Sequence, residues 1–183
     1  MGGAQQVRLV RARPARPGFT LIELLITVSV LGVLMMVAVP SFNDAVLGNK
    51  LSGYANSFVA SAQLARSEAI KRNAPVTMCS SGDGTACASG GWQQGWIVFN
   101  DTDGDAAVGS DETRVHYQQA LATNFSFTGG VDTVVFQGTG LNASPGVLRL
   151  CQRTPSPGAQ ERNLSISSTG RVSVSTTRDA SCP

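Results

Sequence analysis

Residues 16–42 read RPGFTLIELLITVSVLGVLMMVAVPSF. From Phe19 to Val39 this is a run of 21 residues in which only Thr20, Glu23, Thr27 and Ser29 are polar. As a helix rising about 1.5 Å per residue it would be about 31 Å long, which matches the hydrocarbon core of a bilayer. A carboxylate in such a run, Glu23, needs a reason.

The charges outside the run orient it. Arg8, Arg11, Arg13 and Arg16 precede it without an accompanying acid. Basic flanks of this kind stay cytoplasmic, so the part after the run is expected to face outward. Four of the 14 Lys and Arg residues lie within 1–18, which leaves ten against 12 Asp and Glu. The remainder is slightly acidic, and bulk charge gives no argument for nucleic-acid binding.

An ordinary signal peptide is cut after its apolar region, at small residues. Met36-Val37-Ala38 fits poorly because Met36 is large. The small residue stands before the run instead, at Gly18, followed by Phe19. A cut there removes the basic leader 1–18 and leaves the apolar helix on the mature protein, with Phe19 first and Glu23 fifth. Glu23 could snorkel to the headgroups. The reading favoured here is functional: an intramembrane carboxylate is costly unless paired. The free α-amine made by the same cut, on this or a neighbouring subunit, is a natural partner that would fix the register of bundled helices.

The segment GFTLIELL resembles the signature of type IV prepilins and type II secretion pseudopilins. By that resemblance a prepilin peptidase cuts between Gly18 and Phe19 and methylates the new Phe19 amine, and Glu23 is the assembly carboxylate. Pro40 ends the apolar run, and its missing N–H and ring clash either kink the helix or open a second segment; by the resemblance it is the kink proline of similar pilins. The implied organisation is leader 1–18, transmembrane and assembly helix 19–40, amphipathic helix 41–74, and β-rich head 75–183.

Beyond Pro40, Leu47, Leu51, Tyr54, Phe58, Ala62, Ala65 and Ala69 recur at helical spacing, with Lys50, Asn56, Gln63 and Arg66 off the stripe. This predicts a helix to about Asn73, stopped by Pro75, whose apolar face needs a sheet to cover it. From Val76 the pattern becomes β. VTMC, GWIVFN, TRVHYQQ, NFSFTG, DTVVFQG and GVLRLCQ read as strands, and RNLSISSTGRVSVST as a hairpin turning at Ser168–Gly170. Seven or eight consecutive strands after one long helix imply an α+β class with an antiparallel sheet. The order WQQGWIVFNDTDGD, VVFQGTG, LRLCQR, ISSTGRVSV and a terminal cysteine is similar to the GspH/FimT family of minor pilins and pseudopilins.

The four cysteines, Cys79, Cys87, Cys151 and Cys182, all follow the apolar run. An even count in an oxidising compartment favours two disulfides. Three pairings are possible, and local spacing favours Cys79–Cys87 with Cys151–Cys182. A zinc site is disfavoured, since there is no C-x-x-C and His116 is the sole histidine.

The loop with Asp101, Asp103, Asp105 and Glu112 has carboxylates at positions one, three, five and twelve of an EF-hand loop. Position six is Ala106 rather than glycine, and a strand follows instead of a second helix. The expected reading is an acidic, solvated hairpin loop, with these four residues the weak candidate for calcium and no metal expected. No catalytic fingerprint is present, and His116 reads as a structural strand residue. An enzyme is therefore not expected, nor any cofactor.

Some members of the resembling family bind DNA for natural transformation through a G-R-x-R element. Here the corresponding stretch is Gly170-Arg171-Val172-Ser173, which lacks the second arginine. Arg171 and Arg178, with Arg153 and Arg162 nearby in sequence, could give only weak, salt-sensitive phosphate contact. The leading expectation is a minor pilin or pseudopilin, single-pass in the inner membrane with a periplasmic head, then part of a filament near its tip. Its partners would be prepilin peptidase, other minor subunits, the major subunit and, before assembly, membrane lipid. The alternative is a DNA-binding minor pilin, with nucleic acid possible but not favoured.

Overall fold

The structure, a computed structural model, describes residues 18–142, 144–153 and 161–177. By internal contacts the chain divides into two units, Met1–Phe42 and Asn43–Pro183. Helix α1, Leu21–Arg72, begins in the first unit and runs into the second, with Pro40 inside it. In the first unit every described residue is solvent-exposed. A stretch of α1 near the N-terminus is long and apolar enough to cross a membrane.

In the second unit α1 buries Leu47, Leu51, Ala55, Phe58, Ser61, Ala62, Ala65 and Ala69. The predicted stripe is thus present with Ala55 and Ser61 added. Tyr54 is half-buried and meets Phe125 edge-on at 5.0 Å. The C-terminal part of the stripe is made of small residues, Ser61, Ala62, Ala65 and Ala69. The helix ends in a Schellman motif: the amide of Ala74 donates to Ala69 O and that of Asn73 to Ile70 O, both at 3.3 Å. Asn73 takes φ 50°, which asparagine tolerates, and Pro75 follows.

Among the described residues eight strands follow: β1 Val76–Ser80, β2 Trp96–Asn100, β3 Arg114–Gln118, β4 Phe125–Gly129, β5 Thr133–Phe136, β6 Gly146–Gln152, β7 Glu161–Ile166 and β8 Val172–Thr177. All pairings are antiparallel. The expected head differs in one respect. Its strands form two four-stranded sheets, β3-β2-β1-β5 and β4-β6-β7-β8, rather than one. Alternation within a strand shows which residues share a face but not which neighbour it pairs with. Here β4 joins the later strands while β5 returns to β1.

Successive side chains of β2 fill cores on both of its faces. Trp96 and Val98 enter the main core with Phe58, Phe127, Leu148, Leu150 and Leu164. Ile97 and Phe99 form a second cluster with Cys79, packed by Cys87, Val108 and Tyr117. Phe58 lies 5.0 Å from the ring of Trp92 and 5.6 Å from Trp96, both edge-on. Such aromatic pairs contribute about 0.5–1.5 kcal/mol each beyond the area they bury. Both indoles are satisfied: Trp92 Nε1 donates to Val131 O at 2.6 Å and Trp96 Nε1 to Ser61 Oγ at 3.0 Å.

Candidate processing and assembly site

Gly18 and Phe19 precede α1. A side chain added at Gly18 would meet nothing within 4 Å, and Phe19 is 87 % exposed. The backbone and hydroxyl of Thr20 each donate to Glu23 Oε2 at 2.9 Å, and the Glu23 amide donates back to Thr20 Oγ1 at 3.3 Å. This reciprocal arrangement is a capping box, which satisfies helix N-terminal donors that otherwise lack partners. The T-x-x-E spacing that makes it is visible in TLIE. Thr20, absent from the expected site residues, is thus the side chain that holds Glu23 toward the start of the helix.

After Glu23 the exposed side chains are apolar through Val39, with the hydroxyls of Thr27 and Ser29 turned back onto Leu24 O and Leu25 O. Bonding within the helix leaves these hydroxyls little need for an outside partner, which suits an apolar surrounding. Farther along, Glu68 pairs with Arg72 at 2.8 Å and with Lys71 at 3.4 Å. Hydrogen bonding to Arg72 is the main cause holding its carboxyl below the usual range.

Cys79 and Cys87 form a disulfide. It closes the loop in which Asp83 accepts from the Thr85 hydroxyl at 2.6 Å and the Thr85 amide at 2.8 Å. These bonds, the hydroxyl first, lower the Asp83 carboxyl to about 2. Cys151 is also disulfide-bonded. Its expected partner, Cys182, lies outside the described residues.

The acidic loop brings together three of its four sequence candidates. Asp101, Asp103 and Asp105 each place a carboxylate oxygen within 4.8 Å of the other two. Glu112 is used differently: its two oxygens accept from the Thr102 amide at 2.7 Å and the Gly109 amide at 2.9 Å, tying the base of the loop. Asp101 is fully buried, and its Oδ2 accepts from Thr77 Oγ1 at 2.6 Å and the Ala106 amide at 3.2 Å.

Arg171 is exposed beside the β7–β8 turn. Gly170 there takes φ 75°, and a Cβ would fall 2.4 Å from Gly140 O, so the glycine serves the turn. Arg162 is committed to packing, with Nη2 donating to Gly48 O at 3.3 Å and Ser52 Oγ at 3.2 Å. Arg153 is exposed, and Arg178 lies outside the described residues. His116, in β3, is half-buried opposite Val98 and borders a depression with Ser57, Ser61 and Gln118. Both serine hydroxyls donate back into α1, Ser57 to Gly53 O and Ser61 to Ser57 O.

An N-terminal apolar helix continuing into an α+β head with two antiparallel sheets is a pilin-like architecture. Residues 54–170 match the family model described as type II transport protein GspH, and residues 13–39 match the prokaryotic N-terminal methylation motif. The chain belongs to the GspH family of minor pilins and pseudopilins. Its fold is similar to that of the type IV minor pilin FimU of Pseudomonas aeruginosa (TM-score 0.54, 21 % identity, 73 % of this chain and 93 % of that one). It is also similar to that of the minor pseudopilin EpsH from the type 2 secretion system of Vibrio cholerae (TM-score 0.50, 12 % identity, 69 % and 97 %). No curated protein matches the chain in sequence.

Proposed function

We propose that this chain is a minor subunit of a type IV pilus or a type II secretion pseudopilus, acting in filament assembly near the tip. Residues 1–18 are a leader that prepilin peptidase removes before methylating Phe19. Residues 19–40 then hold the protein in the inner membrane, with 41–74 and the head, 75–183, in the periplasm. A second disulfide, Cys151–Cys182, closes the head. The observation that carries this reading is the exposed apolar face of 19–39 with a single carboxylate fixed at its start.

Assembly moves this segment from lipid into a bundle of similar helices. Leucine gains little by leaving hydrocarbon for another leucine, so apolar contact alone does not define register. A carboxylate facing an α-amine in the bundle does, because the pair relieves the cost of an isolated charge. Glu23 is positioned for this by Thr20, within one turn of the amine that cleavage would create.

Two substitutions separate the charge from the cap. Glu23→Val removes both, and Glu23→Gln keeps a side chain able to close the capping box. Both variants are expected to be processed and inserted normally, and both to be depleted from purified filaments as measured by quantitative mass spectrometry. Wild-type incorporation of Glu23→Gln would show that capping, not charge, is what the residue supplies.

A further inference from the structure

We propose that the β2–β3 loop holds a calcium ion on the carboxylates of Asp101, Asp103 and Asp105. Three acids on a surface loop are not by themselves a site. What distinguishes this loop is Asp101, whose side chain is fully buried and whose Oδ1 has no hydrogen-bond partner among the described residues. Burial removes the water that would otherwise satisfy that oxygen, and a buried carboxylate normally has its lone pairs met by donors or a cation. Only Oδ2 is met, by Thr77 and the Ala106 amide. One carboxylate oxygen of Asp101 lies within 4.8 Å of one oxygen each of the exposed acids Asp103 and Asp105.

Oxygens within 4.8 Å of one another can share one calcium ion, whose bonds are roughly 2.4 Å. Asp103 Oδ1 accepts from the Asp105 amide and Asp105 Oδ1 from the Ala107 amide, so one oxygen of each side chain is tied to the loop backbone. The donor set is all oxygen, which selects a hard cation over zinc or copper. Two of the three ligands stand on exposed loop, and the remaining positions would be filled by water. Calcium accepts such variable geometry, whereas magnesium demands a tight octahedron. Sequence spacing alone favours a solvated loop, whereas a buried Asp101 carboxylate with an unmet oxygen favours a bound cation.

The test is calorimetric titration of calcium chloride into the full chain, stripped with chelator and held in a neutral detergent. One ion per chain is expected, with a dissociation constant of about 10⁻⁴–10⁻³ M and a higher thermal unfolding midpoint when it is bound. Magnesium chloride should bind at least about tenfold more weakly. The Asp103→Asn/Asp105→Asn variant, altered only at exposed positions, should keep its metal-free unfolding midpoint and lose at least about tenfold in calcium affinity. Asp111→Asn, an acid of the same loop outside the set, should bind as the unaltered chain does. The proposal is overturned if calcium gives neither heat nor stabilisation at millimolar concentration, or if magnesium binds equally well. It is also overturned if the double variant binds normally, or if Asp111→Asn weakens binding as much as the double variant does.

Discussion

Trp96 Nε1 donates to Ser61 Oγ across 3.0 Å, joining the centre of the first sheet to the buried face of α1. Both residues are buried, and the Ser61 hydroxyl passes its own hydrogen to Ser57 O at 2.9 Å. The bond explains a polar residue in a stripe otherwise made of alanine, leucine and phenylalanine. It also places the largest side chain of β2 against the helix.

Ser61→Ala would keep the small volume but leave the buried indole N–H without its acceptor. The expected loss is about 1–3 kcal/mol of stability, the usual cost of orphaning a buried donor. Urea unfolding followed by tryptophan fluorescence measures it. An unchanged midpoint would mean that another acceptor takes the indole.

The disulfide-closed loop should carry a pH signature. The Asp83 carboxyl is lowered from its ordinary 3.8 to about 2, chiefly by the Thr85 hydroxyl and then the Thr85 amide. Because its folded value is depressed, the stabilisation is complete above the unfolded value and is lost as pH falls from about 4 toward 2. Carboxyl NMR should give a midpoint near 2 for Asp83, moving up in Thr85→Val. Titration near 3.8 in the unaltered protein would contradict the hydrogen-bond arrangement.

DNA binding has a direct test. Arg162 is held by Gly48 and Ser52, and Gly170 is needed by the turn, so Arg171 stands without the second arginine of the family's element. Fluorescence titration of duplex DNA at about 150 mM salt should show no micromolar binding. Micromolar affinity abolished by Arg171→Ala and Arg178→Ala would instead make this a DNA-binding minor pilin.

Much of this architecture was legible because it is periodic. The leucine and alanine spacing of 47–69 marks the buried face of α1, and the alternation of Trp96–Phe99 puts Trp96 and Val98 on one face and Ile97 and Phe99 on the other, each face packing in its own cluster. The division into two sheets was not legible, since the pairing of β5 with β1 depends on contacts between segments more than fifty residues apart. At the candidate site, Gly18 and Phe19 are marked by a small residue standing before the apolar run, and Glu23 by being the one carboxylate within it. Thr20 has no such mark, although its spacing from Glu23 carries the capping signal. Asp101, Asp103 and Glu112 looked alike as acids in a loop. Only folding separates them into a buried carboxylate, an exposed one and a brace across the loop base.

Entry into a filament depends first on how the N-terminus is made. Intact-mass measurement of the chain co-expressed with a prepilin peptidase tests this directly. The predicted product lacks residues 1–18 and begins with Phe19 bearing one added methyl group on its amine, and Gly18→Val blocks its formation. A chain that stays uncut in the presence of active peptidase, or one cut after Ala38, would contradict the account.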